Sequence, residues 1–189
     1  MKGSLQTFLN AMTFPDKTMY PVASRNSKDF LNLMNVYMDA VLYPNITEDT
    51  FKQEGWHYEL NNAEDKIVYK GVVLNEMKGE FSNPESCIDR QLAHSLFPST
   101  PYGFESGGDP KNIPDLTYKE FVEFHEKHYH PSNSRLFIYG DGDTQNYLNF
   151  LHEKYLQDFE RIDVDTSIPH QRSFRKTRRN SLNYPISSH

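Results

Sequence analysis

Two glutamates one helical turn apart, Glu76 and Glu80, are the residues of this chain best spaced to act together. They lie in Gly71-Val-Val-Leu-Asn-Glu-Met-Lys-Gly-Glu80, behind an apolar run and an Asn. Side chains four apart share a helix face, so both carboxylates project the same way. A helix delivers such an anionic oxygen in a fixed direction, which is what a metal ligand requires. A solvated face is the more common use of the same spacing, because acidic side chains are rarely buried.

The remaining reactive side chains are weaker candidates. His125-Glu-Lys-His128 superficially resembles a zinc-binding helix, but its imidazoles are three apart, whereas that helix places them four apart with the Glu next to the first. Cys87 is the only cysteine, so no intramolecular disulfide can form; within Pro84-Glu-Ser-Cys-Ile-Asp-Arg90 it reads as a small core residue. Ser106-Gly-Gly-Asp-Pro110 lacks the Lys and following helix of a phosphate loop and reads as a turn. Trp56, His57 and Tyr58 read as core and interface residues.

Positioning Glu76 requires a helix over about Val72 to Glu80 and elements to pack it against. Ser4 to Thr13 reads as a strand, Pro15-Asp-Lys17 as a turn, and Thr18 to Ser24 as the returning strand. Pro21 marks an edge or bulge in that second strand. Lys28 to Leu42 has apolar residues at three- and four-residue spacing, with Ser27 as cap. Thr47 caps a second helix expected to carry Phe51, Trp56 and Tyr58 towards Leu60, followed by a short connection over Lys66 to Tyr69. Asn83-Pro84 opens another helix to about Leu96, and a long loop covers Phe97 to Pro114. Thr117 to Tyr129 reads as helix, Ser134 to Tyr139 as a buried strand, and Asp143 to Phe159 as a last amphipathic helix. The expected class is α+β, a mainly antiparallel sheet with helices packed on one side.

With 189 residues, 24% of them charged, and a mean hydropathy of −0.76, the chain fits one soluble domain. No apolar run approaches the roughly 20 residues of a spanning helix. From Arg161 onward six basic residues face two acidic ones, a net of +4, which leaves −10 for residues 1–160 of a chain whose total is −6. Such an acidic body repels nucleic acid and attracts cationic peptides; neither nucleic acid nor membrane is an expected partner. Residues 161–189 are poor in apolar side chains and are expected to form a disordered basic tail. The start carries neither a secretory signal nor a transit peptide and reads as the interior of a domain.

Several motifs in fixed order carry a family resemblance. The stretch around Glu76 is joined by Leu5-Gln-Thr-Phe-Leu-Asn-Ala-Met-Thr-Phe14, Tyr20-Pro-Val-Ala-Ser24, Lys28-Asp-Phe-Leu-Asn-Leu33 and Tyr37-Met-Asp-Ala-Val41. Further on come Gln53-Glu-Gly-Trp-His-Tyr-Glu59, Ser106-Gly-Gly-Asp-Pro110 and His128-Tyr-His-Pro-Ser-Asn133. Together they resemble the presequence-protease branch of the insulysin superfamily, the inverted-motif zinc peptidases. The match runs from Lys2 to about Phe159, with no counterpart found for 161–189; residues 1–160 therefore read as a partial peptidase domain missing its start.

The resemblance implies a zinc metalloendopeptidase that degrades short unstructured peptides, cleaved targeting presequences among them, inside a two-halved clamshell. It implies that Glu76 is a zinc ligand and that Glu80 can hydrogen-bond the ligand set, though a helix-end role suits Glu80 as well. It also implies that the strand holding Asn10, Ala11 and Met12 receives the substrate as an added strand, where the residues alone allow an ordinary half-buried strand. The family's His-x-x-Glu-His, which supplies two imidazoles and the general base, is absent from this sequence and is expected upstream. The zinc site is thus incomplete and no residue here is assigned a catalytic role; the chain alone is expected to be inactive. Expected partners are basic unstructured peptides and the rest of the clamshell, in a mitochondrial matrix or plastid. The alternative is a non-catalytic peptide-binding or scaffold member of the same superfamily.

Overall fold

Asn26, rather than Ser27, starts the first helix: its side chain accepts hydrogen bonds from the Lys28 and Asp29 amides at 3.0 Å each. Asn is among the strongest caps, which moves the boundary back by one residue. The computed structural model describes residues 5–183; Ser4 and residues 184–189 lie outside it. The described chain divides into two compact units, one of residues 5–12, 18–46 and 118–166, the other of 13–17, 47–117 and 167–183.

In the first unit, β1 (Gln6–Leu9) pairs antiparallel with β4 (Val22–Ser24), with a register irregularity between Gln6 and Phe8. The two strands expected from the sequence are each interrupted. The first resumes as β2 (Met12–Thr13), beside β3 (Thr18–Met19). The second breaks at Pro21, which cannot donate to a ladder. Helix α1 (Ser27–Leu42) ends at Tyr43, where the following proline disfavours helix. Its Met34 packs with Tyr147 and Leu151 of α6 (Thr144–Leu151), supported by Phe30, Leu31 and Met38. A π-helical turn, His152–Leu156, extends α6, and the buried Tyr155 hydroxyl reaches Asn35. Helix α5 (Tyr118–His128) is tied to the stretch around the end of α1 by two long-range bonds. His125 Nε2 meets the Val41 carbonyl at 2.8 Å, and the Tyr118 hydroxyl donates to the Ile46 carbonyl at 2.9 Å.

In the second unit, α2 (Glu48–Glu54) is capped by Thr47 as expected but stops at Gly55. Trp56 and Tyr58 are therefore not helical. β5 (His57–Glu59) pairs antiparallel with β6 (Val68–Lys70), which replaces the expected connection. The reason is cross-strand packing: Tyr58 stands opposite Tyr69, and Trp56 meets both rings edge-on. Aromatic pairs of this kind stabilise short ladders. Helix α3 (Val72–Glu80) follows, then α4 (Pro84–Leu96) with Asn83 as cap. Leu74 and Met77 of α3 are buried with Ile113, flanked by Trp56 and Phe81.

Two expectations meet a different arrangement. Ser134 to Tyr139 is neither strand nor buried: Phe137 is 88% and Tyr139 92% exposed. The described part of the basic segment, residues 161–183, has no helix or strand, yet part of it lies along α4. Asn180 donates to the Ser95 hydroxyl at 2.6 Å, and Gln171 accepts from the Ser99 amide at 3.0 Å. The class is α+β, with helices and small antiparallel pairs rather than one dominant sheet among the described residues.

Candidate functional site

Helix α3 is held by its buried face. Leu74 is fully covered and Met77 nearly so, which fixes rotation about the helix axis and leaves Asn75, Glu76 and Glu80 outward. Gly71 starts the helix at φ 155°, and a side chain there would put Cβ 2.0 Å from the Gly55 carbonyl oxygen. Only glycine permits that approach. Below the helix, Lys78 Nζ donates to the Tyr69 carbonyl at 3.1 Å, tying α3 to β6.

Glu76 is exposed, and its carboxylate has no hydrogen bond or ion pair among the described residues. Both of its oxygens are open, as a ligand to a hard or borderline cation requires. It is one donor only: among the described residues no group of three or more His, Cys, Asp or Glu is arranged to hold a metal. The side chain therefore fits one corner of a zinc site and no more.

Glu80 differs from Glu76 although both are exposed. Its carboxylate lies 4.0 Å from Arg90 Nη1, and the Arg90 guanidinium stacks on Phe81 at 3.7 Å. Arg90 also donates to Cys87 Sγ at 3.2 Å. Arg90 thus closes the C-terminal end of α3, a role the sequence reading missed; its only signal was an Arg three residues after Cys87, on one helix face. A cavity of about 410 Å³ opens beside this cluster, lined by Glu80, Asp89, Arg90, Tyr102, Phe104 and Glu105 among others. Three carboxylates against one guanidinium give it a negative lining. Nearby, Tyr102 donates to Asp16 at 3.0 Å. Lys17 first and Tyr102 second hold the Asp16 carboxyl below its usual range.

Asn10, Ala11 and Met12 lie in the other unit, at the break between β1 and β2, and all three are exposed. The Asn10 side chain turns back, its Oδ1 accepting from the Ala11 amide at 2.9 Å, which leaves its Nδ2 free to donate outward. Its backbone is anchored on both sides: the Asn10 amide donates to the Pro21 carbonyl at 3.2 Å, and the Tyr37 hydroxyl donates to the Asn10 carbonyl at 3.3 Å. Among the described residues β1 pairs with β4 alone, so its other edge is open. The histidines have structural partners. His125 stacks on Tyr129 at 4.5 Å, His128 packs on Phe124, and His130 accepts from the Ser132 amide.

Comparison with known proteins gives this geometry a family. Residues 115–186 match the model described as the peptidase M16 inactive domain, a match that continues past residue 160 into the basic segment. The chain is 57% identical to "Protein HypA" of Clostridium perfringens over 99% of its own length and 19% of that protein's. It is 57% identical to "Presequence protease 1, chloroplastic/mitochondrial" of Arabidopsis thaliana over 85% of its length and 15% of that protein's. With "Presequence protease, mitochondrial" of Xenopus laevis the identity is 46%, over 100% and 19% respectively. The chain thus spans no more than about a fifth of these relatives. No helix among the described residues is long and apolar enough to cross a membrane. The chain belongs to the M16 peptidase superfamily, as a segment related to the presequence proteases.

Proposed function

We propose that this chain is part of a zinc metalloendopeptidase for short, unstructured peptides, and that Glu76 is one of its metal ligands. The observation that carries this reading is the Glu76 carboxylate, unpartnered on a helix whose rotation is fixed by Leu74 and Met77. Two imidazoles and a general base would come from polypeptide outside these 189 residues. A zinc ion held there would supply Lewis-acid chemistry for peptide hydrolysis, activating water and polarising the scissile carbonyl. Glu80, paired with Arg90, would steady the end of the helix and support the ligand set from outside it.

The substrate would add as a strand at the open edge of β1, reading no particular sequence through backbone hydrogen bonds. Ala11 lets a peptide approach closely, Asn10 Nδ2 can donate to it, and Met12 offers an adaptable apolar contact. The acidic body and the carboxylate-lined cavity beside α3 favour cationic peptides. This agrees with presequences as substrates, which the names of the plant and frog relatives state for those proteins. A mitochondrion or plastid is the compartment that agrees with those names. The two described strand pairs of known direction, β1 with β4 and β5 with β6, would belong to a larger antiparallel sheet, in one half of a two-halved enclosure.

A non-catalytic peptide-binding role is the second reading, favoured by the description of the matched family model as inactive. Chelator-sensitive cleavage of an unstructured cationic peptide separates the two. A polypeptide of the relatives' length should cleave it and lose turnover with EDTA, while the 189-residue chain alone should show none and bind zinc weakly. Cleavage by the longer polypeptide that is indifferent to chelation, or tight stoichiometric zinc on the 189-residue chain, contradicts the proposal.

A further inference from the structure

Arg135-Leu-Phe-Ile-Tyr139 has the composition of a strand and the surroundings of none. Four consecutive large apolar or aromatic side chains are 52%, 88%, 37% and 92% exposed in order from Leu136 to Tyr139. Phe137 and Tyr139, two apart, share one face of an extended segment. No backbone amide or carbonyl from Arg135 to Asp141 is hydrogen-bonded to the described backbone. Exposed apolar surface and unpaired backbone together are what a sheet neighbour removes.

Both ends of the segment are nevertheless fixed. Before it, a 3-10 turn at Pro131–Asn133 is pinned by Asn133 Nδ2 donating to the His128 carbonyl at 2.8 Å. After it, Asp143 caps α6 by accepting from the Asn146 amide at 3.1 Å. The stretch between has neither helix nor strand and is exposed. Identity to a protein about five times longer runs through this region, so polypeptide able to cover it belongs to the same kind of protein.

We infer that Arg135–Tyr139, unpaired in these 189 residues, becomes a strand in the longer polypeptide, its partner a β-strand of that polypeptide lying outside them. Pairing would satisfy its backbone, and apolar side chains from that polypeptide would cover Phe137 and Tyr139. The inference rests on the larger-sheet architecture proposed above and is independent of the metal.

Hydrogen–deuterium exchange tests it on two proteins, the 189-residue chain and a polypeptide of the relatives' length containing it. The amides of Leu136 to Tyr139 should exchange near the unprotected rate in the short chain at every concentration, and at least about 100-fold more slowly in the long one. In the long polypeptide, Phe137→Lys combined with Tyr139→Lys should reduce that protection by about tenfold or more, while leaving the short chain's thermal transition unmoved. Equal exchange in the two proteins overturns the inference. So does protection in the short chain that grows with concentration, which makes a second copy the occupant. Zinc content measured on the same long samples distinguishes a failure of strand pairing from a failure of the metal assignment.

Discussion

Gly71 and Gly55 approach so closely that a Cβ on the first would stand 2.0 Å from the carbonyl oxygen of the second. This contact sets where α3 begins, and hence the direction in which Glu76 points. The two glycines are 16 residues apart, joined through α2's end and the β5/β6 pair, so α3 and the aromatic hairpin are positioned together.

Gly71→Ala therefore should destabilise the second unit by about 2–4 kcal/mol, because the backbone must move and the residue sits at positive φ. Urea unfolding checks this. A change below about 0.5 kcal/mol contradicts the placement of α3.

Leu74→Ala removes a side chain with no exposed surface and should cost about 2–5 kcal/mol. Trp56→Phe keeps an aromatic ring, though a smaller one, but orphans the Leu116 carbonyl, to which the indole N–H donates at 2.9 Å, and should cost about 1–2 kcal/mol. Denaturant midpoints of the two variants give the order directly; a larger loss for Trp56→Phe contradicts the packing described around α3.

Acid should weaken the β5/β6 hairpin through Glu59. Its carboxyl is ion-paired with Lys70 and lies 3.6 Å from the His57 ring. Lys70, above all through its hydrogen bond, holds the carboxyl below its usual value of 4.5. A depressed folded-state pKa contributes stability that is fully present above the unfolded value and is lost as pH falls through the folded one. The stability of the wild-type chain should thus drop more steeply below pH 4.5 than that of Glu59→Gln. Parallel curves for the two contradict the pairing. The pair is only half-buried, so the difference should be small and shrink with salt.

Asn10→Ala tests the substrate edge. If Nδ2 donates to the peptide, its loss in a polypeptide of the relatives' length should raise KM about fivefold with kcat nearly constant, as expected for one neutral hydrogen bond. An unchanged KM contradicts a substrate contact at Asn10.

What the sequence made legible follows from how local each signal is. Helix α3 could be bounded correctly because Gly71, the Leu74/Met77 face and Glu80 all lie within ten residues. Thr47 and Asn83 announced their helices in the same way. Trp56 to Tyr58 misled because aromatics suit helix or strand, and the pairing of Tyr58 with Tyr69 that decides between them is non-local. Ser134 to Tyr139 has a buried strand's continuous apolar run, but burial depends on neighbours that no local pattern encodes. At the candidate site, Glu76 and Glu80 look equivalent in sequence. Arg90, ten residues on, engages one and not the other. The relation of residues 161–186 to the family was invisible to motif reading because that stretch has no catalytic or ligand pattern.

The measurement that bears most directly on the metal assignment is the zinc content of a polypeptide of the relatives' length, with and without Glu76→Gln. About one zinc per unmodified chain, falling at least tenfold in occupancy at matched free zinc in the variant while its unfolding midpoint is retained, is the expected result. Full zinc occupancy in a folded Glu76→Gln protein contradicts a ligand role for Glu76.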